Sequence, residues 1–292
     1  MTESFIEVPG GRVWCDRVGE GTDRAPLLCL HGGPGLPSNY LDSLRRLSDE
    51  RTVVLYDQLG CGRSDRPTST EYYQADRFVK EVGMVRDALG LTRFHLLGQS
   101  WGGMLAVMYC LTRPAGLLSL VLASPVIDVQ QWVADCEAMK QRLPEDVRHA
   151  IDDHERRGFT RCPEYASANF EWWRRHVCRV QPFPDELEHA LHGFGEECYE
   201  TMWGPSEFSC TGNLQGVQLS SQLGNISVQT LFTCGRYDEA TPDSTGRFAG
   251  LVPGAQLRVF QESAHLAHLE EADAYLDCVR AFLADVEGPA DV

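Results

Sequence analysis

The 292-residue sequence has no apolar run approaching the roughly eighteen residues that a membrane-crossing helix needs, and its opening "MTESFIEVPG" lacks a basic segment followed by an apolar stretch. Neither a membrane span nor a secretory leader is expected. Basic residues are scarce: 26 Lys and Arg stand against 42 Asp and Glu, a net charge of −16 that repels nucleic-acid backbones and anionic lipid surfaces. The eleven cysteines are odd in number and form no C-x-x-C pair, so neither a disulfide framework nor a zinc site is indicated, and a reducing cytoplasm is the expected setting. Internal repeats and low-complexity tracts are missing too. What remains, 43% hydrophobic and 23% charged residues, is the composition of an ordinary globular protein. The length suits one large domain or a core carrying an inserted lobe.

Residues 4–18, "SFIEVPGGRVWCDRV", contain two short strands around Pro9-Gly10-Gly11, a hairpin signal. "APLLCLHGG", "RTVVLYDQLG", "RFHLLGQS" and "LLSLVLAS" are short, nearly continuous apolar runs, as expected of parallel strands covered on both faces. Between them, "YYQADRFVKEVGMVRDALG" repeats Phe78, Val82, Val85 and Leu89 at helical spacing before a stop at Gly90. This alternation predicts a doubly wound α/β sheet with helices on both faces. It breaks near Pro125 and resumes at "SVQTLFTCGRYD", Ser227 to Asp238. The intervening chain is rich in Trp, Phe, Glu, Arg and His. Its segments "DVQQWVADCEAMKQRL" and "PDELEHALHGFGEECYETMW" are helical in pattern. The expected organisation is a core in two parts, 1–127 and 216–292, with a helical cap inserted at 128–215. The tail reads as strand "AQLRVF", loop "QESAHLAH" and an amphipathic helix "LEEADAYLDCVRAFLADV".

"GQSWGG", Gly98 to Gly103, sets one serine among glycines between an expected strand and an expected helix, the context of a nucleophile elbow. A Cβ at the flanking positions would strike the neighbouring strand and helix, and the turn lifts the Ser100 hydroxyl beside a helix N-terminus. A weak nucleophile needs a base, and the base an orienting acid. Asp238 follows one expected strand and His265 the next, and the order Ser, acid, His is that of α/β-hydrolases. His268 is the rival base, set aside because it falls in the pattern of the last helix. His31, His95 and His176 have no acid at a triad-like place in the sequence. "HGGPG", His31 to Gly35, follows a strand and offers main-chain donors, so Gly33 and Trp101 are the candidate oxyanion N–H groups.

Taken together, "HGGPG", "DQLGCGRSDRP", "GQSWGG", "GRYDEATP" and "ESAHLAHLE" resemble the prolyl iminopeptidase family of α/β-hydrolases, and the likeness spans most of the chain. The resemblance implies an α/β-hydrolase fold, a mostly parallel sheet of the eight-stranded type, and a metal- and cofactor-free serine hydrolase with Ser100, Asp238 and His265 as its triad. It further implies that Glu207 in "GPSEF" and Glu239 in "YDEAT" bind the substrate's free α-amino group. The implied substrate is a small peptide or aminoacyl amide with an unblocked N-terminus, or a biosynthetic intermediate from which an aminoacyl group is trimmed. Some proline-specific members carry a W-x-x-W-E cap motif where this chain has "FEWWRRH", so the resemblance does not extend to strict proline preference. An esterase or thioesterase using the same triad, and a non-catalytic binder on the hydrolase fold, are the alternatives. Oligomeric state is not legible.

Overall fold

The computed structural model describes residues 2–19 and 23–288; Met1 and 289–292, the extremes of the expected first and last parts, lie outside the described residues. The N-terminal hairpin forms as β1 (Thr2–Val8) and β2 (Gly11–Val18), antiparallel and closing at Val8 opposite Gly11. β2 also pairs antiparallel with β4 (Val53–Tyr56). The remaining strands run parallel: β3 (Leu27–Leu30), β5 (Phe94–Gln99), β6 (Leu117–Ala123), β7 (Gln229–Gly235) and β8 (Gln256–Phe260) complete an eight-stranded sheet in the order β1-β2-β4-β3-β5-β6-β7-β8. β3, β4 and β5 are buried at every residue, which is why their sequences are unbroken apolar runs. β1, at the sheet edge, ends in alternation, Ile6 and Val8 in and Phe5 and Glu7 out.

The strand order steps one way from β3 to β4 and the other way from β4 past β3 to β5. Right-handed crossovers therefore send the two connections to opposite faces. A 3₁₀ segment at Ser38–Asp49 packs with the last helix, Ala272–Glu287, while α1 (Ala75–Ala88) packs on α2 (Trp101–Leu111). α2 is buried almost all round, and its sequence "WGGMLAVMYCL" has no polar face to spare.

Between β6 and β7 lie α3 (Val129–Lys140), α4 (Glu145–Arg157), α5 (Pro163–Trp172), a π turn at Trp173–Val177, α6 (Asp185–His192) and α7 (Glu196–Met202). The single helical stretch suggested by "PDELEHALHGFGEECYETMW" is thus two helices. The break docks on the core: Gly195 N–H donates to Gly35 O at 2.8 Å, Gly62 N–H donates to Gly193 O at 2.9 Å, and a Cβ on Gly195 would sit 2.3 Å from Gly60 O. After β7 come α8 (Pro242–Ala249), α9 (Ala267–Glu270) and α10, the last helix. α9 takes up part of the expected loop and part of the expected final helix. The chain kinks at Glu270 and Glu271 because their carboxylates turn back, Glu271 accepting from Ser263 Oγ at 2.6 Å and Glu270 from the Ala264 N–H. Among the described residues no helix is long and apolar enough to cross a membrane.

Candidate active site

Ser100 stands between β5 and α2 with φ 56° and ψ −120°, a conformation that L-residues rarely hold. Two glycines make room for it. A Cβ on Gly98 would lie 2.1 Å from Gly102 O, and one on Gly102 would lie 2.2 Å from Leu30 O at the end of β3. The turn leaves the Trp101 N–H at the first position of α2, where helices have unfilled donors. Gly33, at φ 105°, lies beyond the end of β3, and neither its N–H nor that of Trp101 donates to a protein acceptor among the described contacts. Both expected oxyanion donors are therefore free.

Asp238 and His265 follow β7 and β8, and the structure brings them together: His265 Nδ1 lies 2.8 Å from Asp238 Oδ1. The same oxygen accepts from Ala240 N–H at 2.7 Å, while Oδ2 accepts from Ser124 Oγ at 2.6 Å and Gly235 N–H at 3.1 Å. Three donors besides the imidazole hold the buried carboxylate and fix where it can meet the ring. The edge of Trp132 packs on that ring, centroids 5.6 Å apart. Burial alone would push the His265 pKa down, but the charge and hydrogen bond of Asp238, then the charges of Glu239 and Glu207, hold it up at about 9. Ser100 and His265 line one cavity of about 210 Å³, yet no hydrogen bond joins the Ser100 hydroxyl to the ring among the described contacts.

Glu207 and Glu239 line the same cavity. Glu239 is buried beside Asp238, its Oε2 accepting from Trp172 Nε1 at 2.7 Å and its Oε1 lying 3.8 Å from His265 Nε2. Glu207, half-buried, accepts from Tyr199 Oη at 2.9 Å. Its loop is tied down by Trp203 Nε1 donating to Ser206 O and by Ser206 Oγ donating to Glu155. Burial raises the Glu207 carboxyl pKa against the Tyr199 hydrogen bond; burial and the charge of Glu207 push Glu239 well above its ordinary range. Two carboxylates that burial disfavours as anions, lining one cavity, can accept a cation there.

His268 is not brought to the serine. Its Nε2–H donates to Tyr40 O at 3.0 Å, and burial lowers its pKa to about 3, leaving a neutral ring that fastens α9 to the core. His31 positions the oxyanion loop: Nδ1–H donates to Gly32 O, and Nε2 accepts from Gln58 N–H at 2.8 Å. His176 Nδ1 meets Tyr237 O. His95 differs from expectation, because Glu287 from the end of α10 reaches its Nε2 at 3.2 Å while Nδ1 meets Ser119 Oγ at 2.7 Å. This Ser-His-Glu row, with Ser119 and His95 fully buried, lies at the opposite ends of β5 and β6 from Ser100, and Arg51 pairs with the same carboxylate. It ties α10 to the sheet.

Several residues at the site carry no assignment from the sequence. Tyr40 Oη accepts from Gly32 N–H at 2.6 Å and donates to Gln99 Oε1 at 2.5 Å, and Gln99 Nε2 reaches His265 O at 3.4 Å, linking oxyanion loop, nucleophile strand and base loop. Gln58 Oε1 accepts from the Trp101 indole at 2.9 Å. Ser124, in the strand-end position after β6, was discoverable by the rule that found Asp238 and His265. Trp172 and Tyr199 were not, since cap packing alone brings them in.

A family model described as "alpha/beta hydrolase fold" matches residues 25–272. The chain is 41% identical over 286 residues, 98% of its length and 99% of the relative's, to a proline iminopeptidase of Heyndrickxia coagulans. Among solved structures, a proline iminopeptidase of Mycobacterium smegmatis superposes with a TM-score of 0.90 at 33% identity, covering 99% of this chain and 100% of the other. A protein named VinJ superposes with a TM-score of 0.94 at 32% identity, covering 98% and 99%. With the strand order, the serine elbow and these full-length likenesses agreeing, the chain belongs to the proline iminopeptidase family of α/β-hydrolases, and so to the aminopeptidase-type serine hydrolases.

Proposed function

We propose that the chain removes an unblocked N-terminal residue from a small peptide or aminoacyl amide, with Ser100, His265 and Asp238 as triad, Gly33 and Trp101 as oxyanion donors, and Glu207 and Glu239 as α-ammonium anchors. One observation carries this reading: nucleophile, base and both glutamates line one cavity. An ammonium held against two carboxylates places the first carbonyl over Ser100, and a chain interior has no such cation to offer.

Ser100 Oγ attacks that carbonyl as its proton passes to His265 Nε2, and the oxyanion meets the Gly33 and Trp101 N–H groups. The C–N bond then breaks while Nε2 returns the proton to the departing amine. Water attacks the acyl-enzyme, giving its proton to Nε2; the C–O bond to Ser100 breaks, the serine is reprotonated, and the amino acid leaves. Asp238 holds the tautomer with Nδ1–H throughout. Residues 128–215 act as the cap that closes the cavity and selects the leaving group. Eleven cysteines without a disulfide support a reducing, cytoplasmic setting.

The test is a panel of aminoacyl-β-naphthylamides, Pro and Ala included, beside their N-acetyl counterparts. Cleavage is expected for the free amines and not for the blocked ones, and Ser100→Ala is expected to lose it by orders of magnitude while staying folded. Equal cleavage of blocked substrates, or activity retained in Ser100→Ala, sinks the reading.

A further inference from the structure

Every charged group acting on His265 favours a proton on the ring, where the chemistry needs a neutral base. Asp238 engages His265 Nδ1 at 2.8 Å, Glu239 Oε1 lies 3.8 Å from Nε2, and the serine hydroxyl makes no hydrogen bond to the ring among the described contacts. The groups around the ring come from every side. α3 supplies Trp132 and Cys136; α7 and the loop after it supply Tyr199 and Glu207; the ends of β6 and β7 supply Ser124, Asp238 and Glu239; α9 supplies His268 and Glu270. Burial keeps the Cys136 thiol, the Tyr199 phenol and the His268 ring neutral, and Glu270 is turned to the main-chain N–H groups of Arg179 and Ala264. The charges that act on His265 are thus those of Asp238, Glu239 and Glu207, all acidic.

We propose that the substrate's own α-ammonium switches the base on: by seating against Glu207 and Glu239 it takes over the carboxylates whose charge favours a proton on His265, the imidazolium loses its proton to solvent, and Nε2 is free to accept the proton of Ser100. The proposal rests on the reading of the two glutamates as amine anchors. One cation enters the cavity as one proton leaves, so no charge is added to a buried site. Linkage makes the effect reciprocal: whatever factor the ammonium gains from a neutral ring, the ring's proton affinity loses. A carbonyl arriving without an ammonium meets an imidazolium that cannot take the serine proton. Selectivity for free N-termini then resides in the chemical step as well as in binding.

Methanesulfonyl fluoride sulfonylates an activated serine and brings no ammonium, so its rate of reaction with Ser100 reads the base alone. Without added amine, the rate is expected to rise with pH through about 9. Saturating pyrrolidine, an ammonium with no carbonyl, is expected to move that rise down by about one to two pH units and so to speed labelling at pH 7 by about 10- to 100-fold. The side-chain NMR titration of His265 in the same protein should move in the same sense. Glu239→Gln is expected to show the low midpoint without amine and no acceleration with it. Labelling whose midpoint stays in place when pyrrolidine is added, or a Glu239→Gln midpoint that stays near 9, overturns the proposal and leaves the nucleophile assignment standing. Failure of Ser100 to react at any pH removes both.

Discussion

Trp172 gives the most discriminating substitution, because it does not line the cavity and, on the proposed reading, would act on the substrate only through Glu239. Its indole N–H donates to Glu239 Oε2 at 2.7 Å, and the side chain is fully buried, edge-on to Phe208 at 4.6 Å. Trp172→Phe keeps an aromatic in the cap and deletes the donor. A hydrogen bond to a charged group contributes about 1.5–3 kcal/mol, and at about 1.4 kcal/mol per decade its loss corresponds to roughly 10- to 150-fold. The sense follows from the site: Glu239 is already driven toward its neutral form by burial and by Glu207, and the indole is one of the groups opposing that drift. Without it, Glu239 carries less negative charge at neutral pH and holds an ammonium less well. The assay compares kcat/KM for the better of the prolyl and alanyl β-naphthylamides with that for p-nitrophenyl acetate, which has no amine. The first is expected to fall by about 10- to 100-fold and the second to hold or rise, because a less charged Glu239 also loosens the proton on His265. The void left by the smaller ring depresses both alike and cancels in the ratio. Equal losses, or an unchanged ratio, refute the claim that Trp172 acts by keeping Glu239 charged.

Tyr199→Phe should act in the same sense through Glu207, lowering kcat/KM on the free-amine substrate while sparing p-nitrophenyl acetate; a matched loss on both would mean that Tyr199 only packs. Gly102→Ala forces a Cβ to within 2.2 Å of Leu30 O, backbone that cannot swing aside. Its urea midpoint should drop by the equivalent of about 1–3 kcal/mol or more, with activity lost, and a wild-type midpoint would contradict the steric account of the elbow. Stability should also decline with pH. His265 is raised from 6.5 to about 9 in the fold, so its contribution is full below 6.5 and lost as pH rises through 9, on the order of 3 kcal/mol, and the raised Glu207 and Glu239 act in the same direction. Urea midpoints at pH 6 and 9 test this: His265→Gln should flatten the fall, and a slope unchanged in that variant would remove His265 as its source.

The ease with which Ser100, Asp238 and His265 could be found in the sequence has a physical cause. Each follows a parallel strand, buried in the case of β5 and β7, and a parallel sheet brings all its strand ends to one rim, so a strand run followed by a polar residue specifies a place in space as well as in the chain. Gly98 and Gly102 were legible for a related reason: missing side chains mark backbone crowded against backbone, here Gly102 O and Leu30 O. The same logic fails for His95. Its partner Glu287 lies 192 residues away at the end of α10, and local pattern says nothing about where that helix ends against the sheet.

The cap fails it more instructively. α4 to α7 are short, and their joints are set by contacts with the core, as where Gly195 meets Gly35 and Gly60 and splits one helical pattern in two. Trp172 and Tyr199 arrive at the glutamates through that packing, and an aromatic on a short amphipathic helix looks the same whether it fills a core or donates a hydrogen bond to a carboxylate. The site thus divides by origin. The residues assigned to bond making sit on the sheet rim, where secondary-structure periodicity determines position. Those that set its charge balance are shared between the rim, which supplies Asp238 and Glu239, and the cap, which supplies Glu207 and the two donors that oppose neutralisation of the glutamates. Substitutions within the cap should therefore change which amine is accepted, and at what pH, before they change whether an acyl group can be transferred at all.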